Sequence, residues 1–287
     1  MTNRIDSIAI IIVMFNPKKE DIDNVERLSK CYTGVIVDNS PSATFQNDTI
    51  HKMQYIALNE NVGIAKAQNI GIQKSLQNKD IEYIVFLDQD STASDSYPLD
   101  ITKAYETIRL NVHKLAFLGP RLENKENGKE YKSILHQEVE AANSFILRNE
   151  IISSGGCTTR EAIDDIGLNL EKLFIDYVDF EWCWRAKSKG YVCGITSQVV
   201  IQHHVGQQTM YIGGYTIIVS SPIRYYYQYR NFIWLLRKRY VPRIWLLKNG
   251  IKKIAALFYF PLFIKNGMQC WKHMMRGIGA GITQKGI

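Results

Sequence analysis

Tyr83-Ile84-Val85-Phe86-Leu87-Asp88-Gln89-Asp90-Ser91 is a five-residue apolar run that ends on two carboxylates two positions apart. Apolar residues at successive positions, rich in Ile and Val, predict a strand buried on both faces, as in a parallel sheet. Comparable runs at 8–14, 34–37, 53–57 and 115–118 predict four more strands. Helical patterns near 19–31, 63–77 and 98–112 lie between them. This alternation predicts an α/β fold: a mixed, mostly parallel sheet flanked by helices. Ligands of such sheets bind at the carboxyl ends of the strands, and here those ends are polar. Phe15 and Asn16 follow the first strand, Asp38-Asn39-Ser40 the second, Asn59, Asn61 and Gly63 the third, and Asp88-Gln89-Asp90-Ser91 the fourth. Each alone is an ordinary turn or cap residue. Four such ends, with three carboxylates among them, predict one polar crevice.

The chain has 287 residues, 46 % hydrophobic and 22 % charged. That excludes a disordered or fibrous protein and suffices for a full core, with roughly two domains at ~150 residues each. Cys31, Cys157, Cys183, Cys193 and Cys270 are scattered, odd in number and free of C-x-x-C. They argue against a zinc knuckle or disulfide framework and for a reducing compartment. The run at 8–14 has Arg4 ahead of it, as in a signal peptide, but Phe15-Asn16-Pro17-Lys18-Lys19-Glu20-Asp21 follows with no small-residue cleavage site, so a buried strand is expected and no targeting segment.

Charge is divided unevenly. Residues 1–181 hold 19 Lys+Arg against 28 Asp+Glu, whereas residues 182–287 hold 16 Lys+Arg and no acidic residue. The C-terminal third is expected to meet something anionic, a membrane surface or a nucleic acid. Ser221-Pro222 reads as a helix start. Beyond Pro242, Ile244, Leu247, Ile251, Ile254, Ala255 and Phe258 fall on one helical face. Residues 254–264 are eleven apolar positions including Pro261. As helix they reach ~16 Å against a hydrocarbon core of ~30 Å, which is enough to lie in a membrane interface but not to cross it.

Three groups of residues carry candidate chemistry. Asp88 and Asp90 after an apolar strand suit a divalent cation shared with phosphates, or a division between metal and ribose. Asp179, between Val178 and Phe180, is a candidate general base, its apolar neighbours tending to raise a carboxyl pKa. Two residues on, Glu181 is spaced to pair with Arg185 at i, i+4. His203-His204 follows the apolar run at 199–201 and offers a metal ligand. Phe180, Trp182 and Trp184 are candidates to close the site against water. The chain contains no G-x-x-x-x-G-K-[ST], G-x-G-x-x-G or G-x-S-x-G, which argues against P-loop, dinucleotide and serine-hydrolase chemistry.

Six segments in order carry a resemblance: Val13-Met14-Phe15-Asn16, Val37-Asp38-Asn39-Ser40, the stretch from Asn61 to Gly71, Phe86-Leu87-Asp88-Gln89-Asp90-Ser91, Ile175-Asp176-Tyr177-Val178-Asp179-Phe180-Glu181-Trp182, and the late pair His203-His204-Val205-Gly206 with Arg224-Tyr225-Tyr226-Tyr227-Gln228-Tyr229-Arg230-Asn231. Together they resemble the inverting family-2 glycosyltransferases with the GT-A fold, and among them the bacterial rhamnosyltransferases of O-antigen and capsule synthesis. Val178, where many members carry Glu, and Gln68, ahead of Asn69, look typical of that subgroup.

The resemblance implies a GT-A domain over 1–220, with a nucleotide-sugar-binding half to about 95 and an acceptor half beyond it. The resemblance does not reach the last ~45 residues; charge and apolar patterning, not the resemblance, predict that 221–287 is a basic, amphipathic helical extension that associates with a membrane. Phe15 would lie along the base, and Asp38 would accept from a ring N–H of uracil or thymine. Asn16, Asn61, Gly63, Asn69 and Gln89 would complete the donor site. Asp88 would meet the ribose or a metal-bound water, and Asp90 would hold Mg²⁺ or Mn²⁺ with His203 or His204. Asp179 would deprotonate the acceptor. Ser154, Gly155, Glu181, Trp182, Tyr226 and Arg230 would wall the acceptor site. The expected reaction moves L-rhamnose from dTDP-rhamnose to a saccharide, lipid-diphosphate-linked, at the inner face of the cytoplasmic membrane; a homo-oligomer is left open. A UDP-hexose donor is the alternative. A nucleic-acid-binding protein is a remote one that leaves the carboxylates unexplained.

Overall fold

The computed structural model describes residues 4–124, 140–141, 144–203, 208–212 and 215–287, which fall into two compact units. The first comprises Met1–Glu171 and Asp179–His204, the second Lys172–Val178 and Val205–Ile287.

In the first unit a sheet runs through β1 (Ile8–Met14), β2 (Gly34–Asp38), β3 (Thr49–Ile50), β4 (Met53–Ala57), β5 (Tyr83–Asp88), β6 (Leu115–Asn124), β7 (Glu140–Ala141), β8 (Phe145–Arg148), β9 (Cys157–Thr159) and β10 (Val192–His203). Their order is β3-β4-β2-β1-β5-β9-β6-β10-β8-β7. β1 pairs parallel with β2 on one side and with β5 on the other. The chain therefore reverses its direction of travel across the sheet at β1, and the crevice between the ends of β1 and β5 is a switch point. β1 has no polar residue because both faces are covered. Ile8, Ile10, Ile12 and Met14 join one core with Val85 and Leu87, while Ala9 and Ile11 join the other with Ile84 and Phe86. Gly34 is required by the close β1–β2 approach, since a Cβ there would lie 2.0 Å from the Ile10 carbonyl oxygen.

Helices α1 (Lys19–Cys31), α2 (Ile64–Ser75), α3 (Tyr97–Arg109), α4 (Arg160–Ile166) and α5 (Val178–Ser188) complete the unit. The five expected strands and three expected helices are present within a few residues, except that β6 continues to Asn124. The parallel pairing of β4-β2-β1-β5 gives way beyond β5, where three-residue β9 inserts antiparallel to both β5 and β6. A strand that short has no periodicity to read.

The second unit holds the antiparallel pair β11 (Gln208–Ile212) and β12 (Tyr215–Val219) and the helices α6 (Pro222–Leu236), α7 (Arg243–Phe263) and α8 (Gly267–Thr283). Tyr225 and Tyr229 of α6, Phe260 of α7 and Met274 of α8 form its core. Glycines let α8 approach α6: a Cβ at Gly277 would stand 2.4 Å from the Tyr226 carbonyl oxygen. No described helix is long and apolar enough to cross a membrane.

Candidate active site

The ends of β1, β2 and β5 are stitched together by side chains. The Phe15 N–H donates to Gln89 Oε1 at 2.7 Å, and Gln89 Nε2 reaches Asp21 at 3.2 Å. The Asn16 N–H, in a left-handed turn at φ 45°, donates to Ser40 Oγ at 2.8 Å. Phe15 itself is 44 % exposed, so its ring is available as a platform beside the crevice. The Asn39 amide donates to Asn61 Oδ1 and accepts from the Val62 N–H, tying β2 to the start of α2, where Gly63 takes φ 84°.

Asp38 ends β2 with a buried carboxylate. It accepts from the Ser40 N–H (3.0 Å), the Thr44 N–H (2.9 Å) and the Tyr55 hydroxyl (2.7 Å). Burial pushes its pKa up, but these bonds outweigh that and hold it below the ordinary carboxylate value. Tyr55 moves the other way, upward, through burial and its bond to Asp38. Of roughly four lone-pair sites on a carboxylate, the three bonds leave about one for a ligand N–H.

At the end of β5, Asp88 is half-buried and Asp90 exposed. Ser91 is buried, accepts from the Asp88 N–H at 3.2 Å, and its hydroxyl meets Ser154 Oγ at 3.3 Å. The next residue, Gly155, is pinned to β5. Its N–H donates to the Phe86 carbonyl at 2.8 Å, and its own carbonyl accepts from Tyr97 Oη at 2.6 Å. The preceding residue, Ser153, donates its N–H to Asp179 Oδ2 at 3.0 Å. Two adjacent serines thus bring the end of β5 and the first turn of α5 together. Asp179 is half-buried there, in the first turn of α5. Its setting is therefore not only the apolar one of Val178 and Phe180, since its carboxylate accepts a backbone N–H.

A relay of polar side chains supports Ser153. Gln68 of α2 donates to Ser153 Oγ at 3.1 Å and accepts from Asn169 Nδ2 at 3.0 Å, and Asn69 exchanges two bonds with the Asn169 backbone, each 2.9 Å. A pocket of about 430 Å³, open mouth included, lies between Gln68 and Ile72 of α2, Phe86 of β5, Phe117 of β6, and Asp179 and Trp182 of α5. Ser153 and Asn169 escaped sequence reasoning, because each lies in a stretch with no periodicity that reads only as a loop.

The remaining wall residues do different work. Glu181 has no exposed surface, and its carboxylate takes two bonds from Arg185, at 2.9 and 3.0 Å, as the spacing suggested. Trp182 donates to the Gly167 carbonyl at 2.8 Å and lines the pocket. Trp184 cannot close the site: it is 1 % exposed and bonded to Glu150.

Tyr226 and Arg230 belong to the second unit, where α6 grips the segment 172–178. Arg230 donates to the carbonyls of Lys172 and Leu173, at 2.7 and 3.1 Å, with its guanidinium over the Tyr226, Tyr227 and Trp234 rings. Arg224 pairs with Asp176, and Asn231 bonds three carbonyls of the same segment.

The oxygen donors of Asp88 and Asp90 suit Mg²⁺ or Mn²⁺, which commonly complete their shells with phosphate and water. No cluster of three or more His, Cys, Asp or Glu side chains assembles among the described residues. The side chain of His203 and all of His204 lie outside the described residues.

The crevice at the switch point has an acidic strand end on one side and a carboxylate at a helix start on the other. The chain belongs to Glycosyl transferase family 2, whose model matches residues 10–167. It is 34 % identical over 284 residues, 95 % of this chain and 93 % of the relative, to the dTDP-rhamnosyl transferase RfbF of Shigella flexneri. Over 240 residues, 77 % of this chain and 75 % of the relative, it is 27 % identical to the low-salt glycan biosynthesis hexosyltransferase Agl10 of Haloferax volcanii. Among solved structures it is similar to S. aureus TarS 1-349 in complex with UDP-GlcNAc, with TM-score 0.59 and 15 % identity over 96 % of this chain and 80 % of that one. It is also similar to GalNAc-T7 with UDP, GalNAc and Mn²⁺, with TM-score 0.55 and 13 % identity over 94 % of this chain and 55 % of that one. These likenesses establish the GT-A fold. The chain spans about half, 48 %, of a longer TarS chain that it also matches.

Proposed function

We propose that this glycosyltransferase moves L-rhamnose, with inversion, from dTDP-rhamnose to a saccharide acceptor of surface-polysaccharide synthesis. We read that acceptor as lipid-diphosphate-linked, at the inner face of the cytoplasmic membrane. The supporting observation is the serine bridge, which sets Asp179 beside the Asp88–Asp90 end of β5. The choice of sugar leans on the name of the Shigella flexneri relative.

In this reading Phe15 and Asp38 hold the base, with Asn16, Asn61, Gly63, Asn69 and Gln89 shaping the donor site. Asp88 and Asp90 face the diphosphate, with His203 or His204 as a further ligand. Mg²⁺ or Mn²⁺, when bound there, would neutralise charge on the departing diphosphate oxygen. Asp179 takes the proton of the acceptor hydroxyl as its oxygen attacks the anomeric carbon and the bond to the diphosphate breaks on the opposite face. Ser154, Gly155, Glu181 and Trp182 wall or support the acceptor side, while Tyr226 and Arg230 belong to the grip on the segment 172–178.

A thermal-shift panel of dTDP and UDP, with and without Mn²⁺, tests the donor. A ligand at 100 times its Kd stabilises by ~2.7 kcal/mol, or several degrees at ~2–4 °C per kcal/mol. A metal-dependent shift with dTDP is expected. A shift with UDP alone would install a UDP-hexose; no shift would sink both. Asp179→Asn is expected to abolish transfer and keep the dTDP shift, and retained turnover would remove Asp179 as the base.

A further inference from the structure

Helix α7 wears its apolar stripe on the outside. Ile244, Leu247, Ile251, Ile254, Phe258 and Leu262 are each between 60 and 76 % exposed. At ~100° per residue they cover a band of ~80°. An amphipathic helix ordinarily turns such a band to the core, but α7 packs inward through Ala256 and Phe260 instead. Exposed Arg243 borders the band on one side, and exposed Lys248 and Lys252 on the other. Lys253 does not add to that border, because its ammonium is buried over the Tyr229 ring. At the N-terminal end of α7, a cleft of about 580 Å³, open mouth included, is lined by Arg237, Lys238, Arg239 and Arg243. No acidic residue follows Glu181 in the sequence to answer these charges.

We propose that α7 docks in the plane of an anionic lipid surface, its stripe at the boundary of headgroups and acyl chains and its basic cleft on lipid phosphates. The proposal rests on the membrane-face reading above and deepens it by naming the helix that makes the contact. Charge selects this occupant. A second copy on the same band would oppose like charges with no carboxylate between them. A nucleic acid would meet the cations but leave six large apolar side chains in water. An anionic bilayer satisfies the band and its borders together.

The test is flotation of the full chain with phosphatidylcholine vesicles, with and without phosphatidylglycerol. Wild type is expected to float with the anionic vesicles and to lose binding as salt rises. Leu247→Ser with Phe258→Ser should weaken that binding by roughly tenfold per residue. Arg239→Gln with Lys248→Gln and Lys252→Gln should remove the preference for phosphatidylglycerol. These side chains are exposed, and an unchanged dTDP thermal shift verifies that each variant is folded. Failure of wild type to float, or a stripe variant floating like wild type, overturns the proposal. So does a dimer that the stripe variant splits, which would assign the band to a second copy. A chain that floats without a nucleotide shift loses the donor reading and keeps this one; a chain that shifts without floating does the reverse.

Discussion

Removing the Asn231 side chain should loosen the segment that delivers Asp179. Asn231 is fully buried, and its amide nitrogen lies 2.9, 2.8 and 3.1 Å from the carbonyls of Leu173, Ile175 and Asp176. Its oxygen accepts from Arg230 at 3.0 and 2.9 Å. The segment needs this grip, since Phe174, Asp176 and Tyr177 stand at φ 65°, 66° and 67°. Each such left-handed non-glycine residue costs on the order of 1–3 kcal/mol unless its surroundings enforce it. Two amide protons satisfy two carbonyls well, and a buried acceptor left unpaired costs ~1–3 kcal/mol. Asn231→Ala should therefore lower the unfolding free energy in urea by about 2–5 kcal/mol. Only Tyr177 and Val178 stand between Asp176, the last carbonyl that Asn231 holds, and Asp179, and a misplacement of ~1 Å costs on the order of a hundredfold in rate. Turnover should fall accordingly while the dTDP thermal shift persists, because the donor residues lie elsewhere. Asn231→Asp should not rescue, since it keeps the acceptor for Arg230 but sets oxygen against three carbonyls. An unfolding free energy within ~0.5 kcal/mol of wild type, or rescue by Asp, would refute this reasoning.

Two further outcomes follow from buried carboxylates. Asp38 has a lowered pKa, so its contribution to stability is present above the ordinary carboxylate value and is lost as pH falls through the lower folded value. Acid titration of unfolding should show that loss below about pH 4 in wild type and not in Asp38→Asn; equal slopes would contradict it. Glu181→Ala removes the counter-charge of the Arg185 guanidinium, whose side chain is 16 % exposed, and leaves it only the carbonyls of Ile166 and Leu168 among the described residues. Breaking a buried pair of this kind costs ~3–5 kcal/mol, readable as a lower urea midpoint; an unchanged midpoint would show that the pair contributes nothing.

What was legible in the sequence was local or periodic. Ile8–Met14 has no polar residue because both its faces are covered, and that pattern alone announces a central parallel strand. Polar residues after four strands marked the crevice, since strand direction carries every such end to one side of the sheet. Glu181 and Arg185 were readable as a pair because one helical turn separates them. The contacts that assemble the site were not readable. Ser153 reaches Asp179 across 26 positions, Gln68 reaches Ser153 across 85, and Asn231 reaches Leu173 across 58. No spacing rule links such partners; only packing chooses them. The stripe of α7 marks the boundary. Its period, from Ile244 to Phe258, was plain in the sequence, but a hydrophobic period specifies a face and not what the face meets. Tertiary structure decided that, by giving the opposite side of the helix, Ala256 and Phe260, to the core and leaving the stripe in solvent.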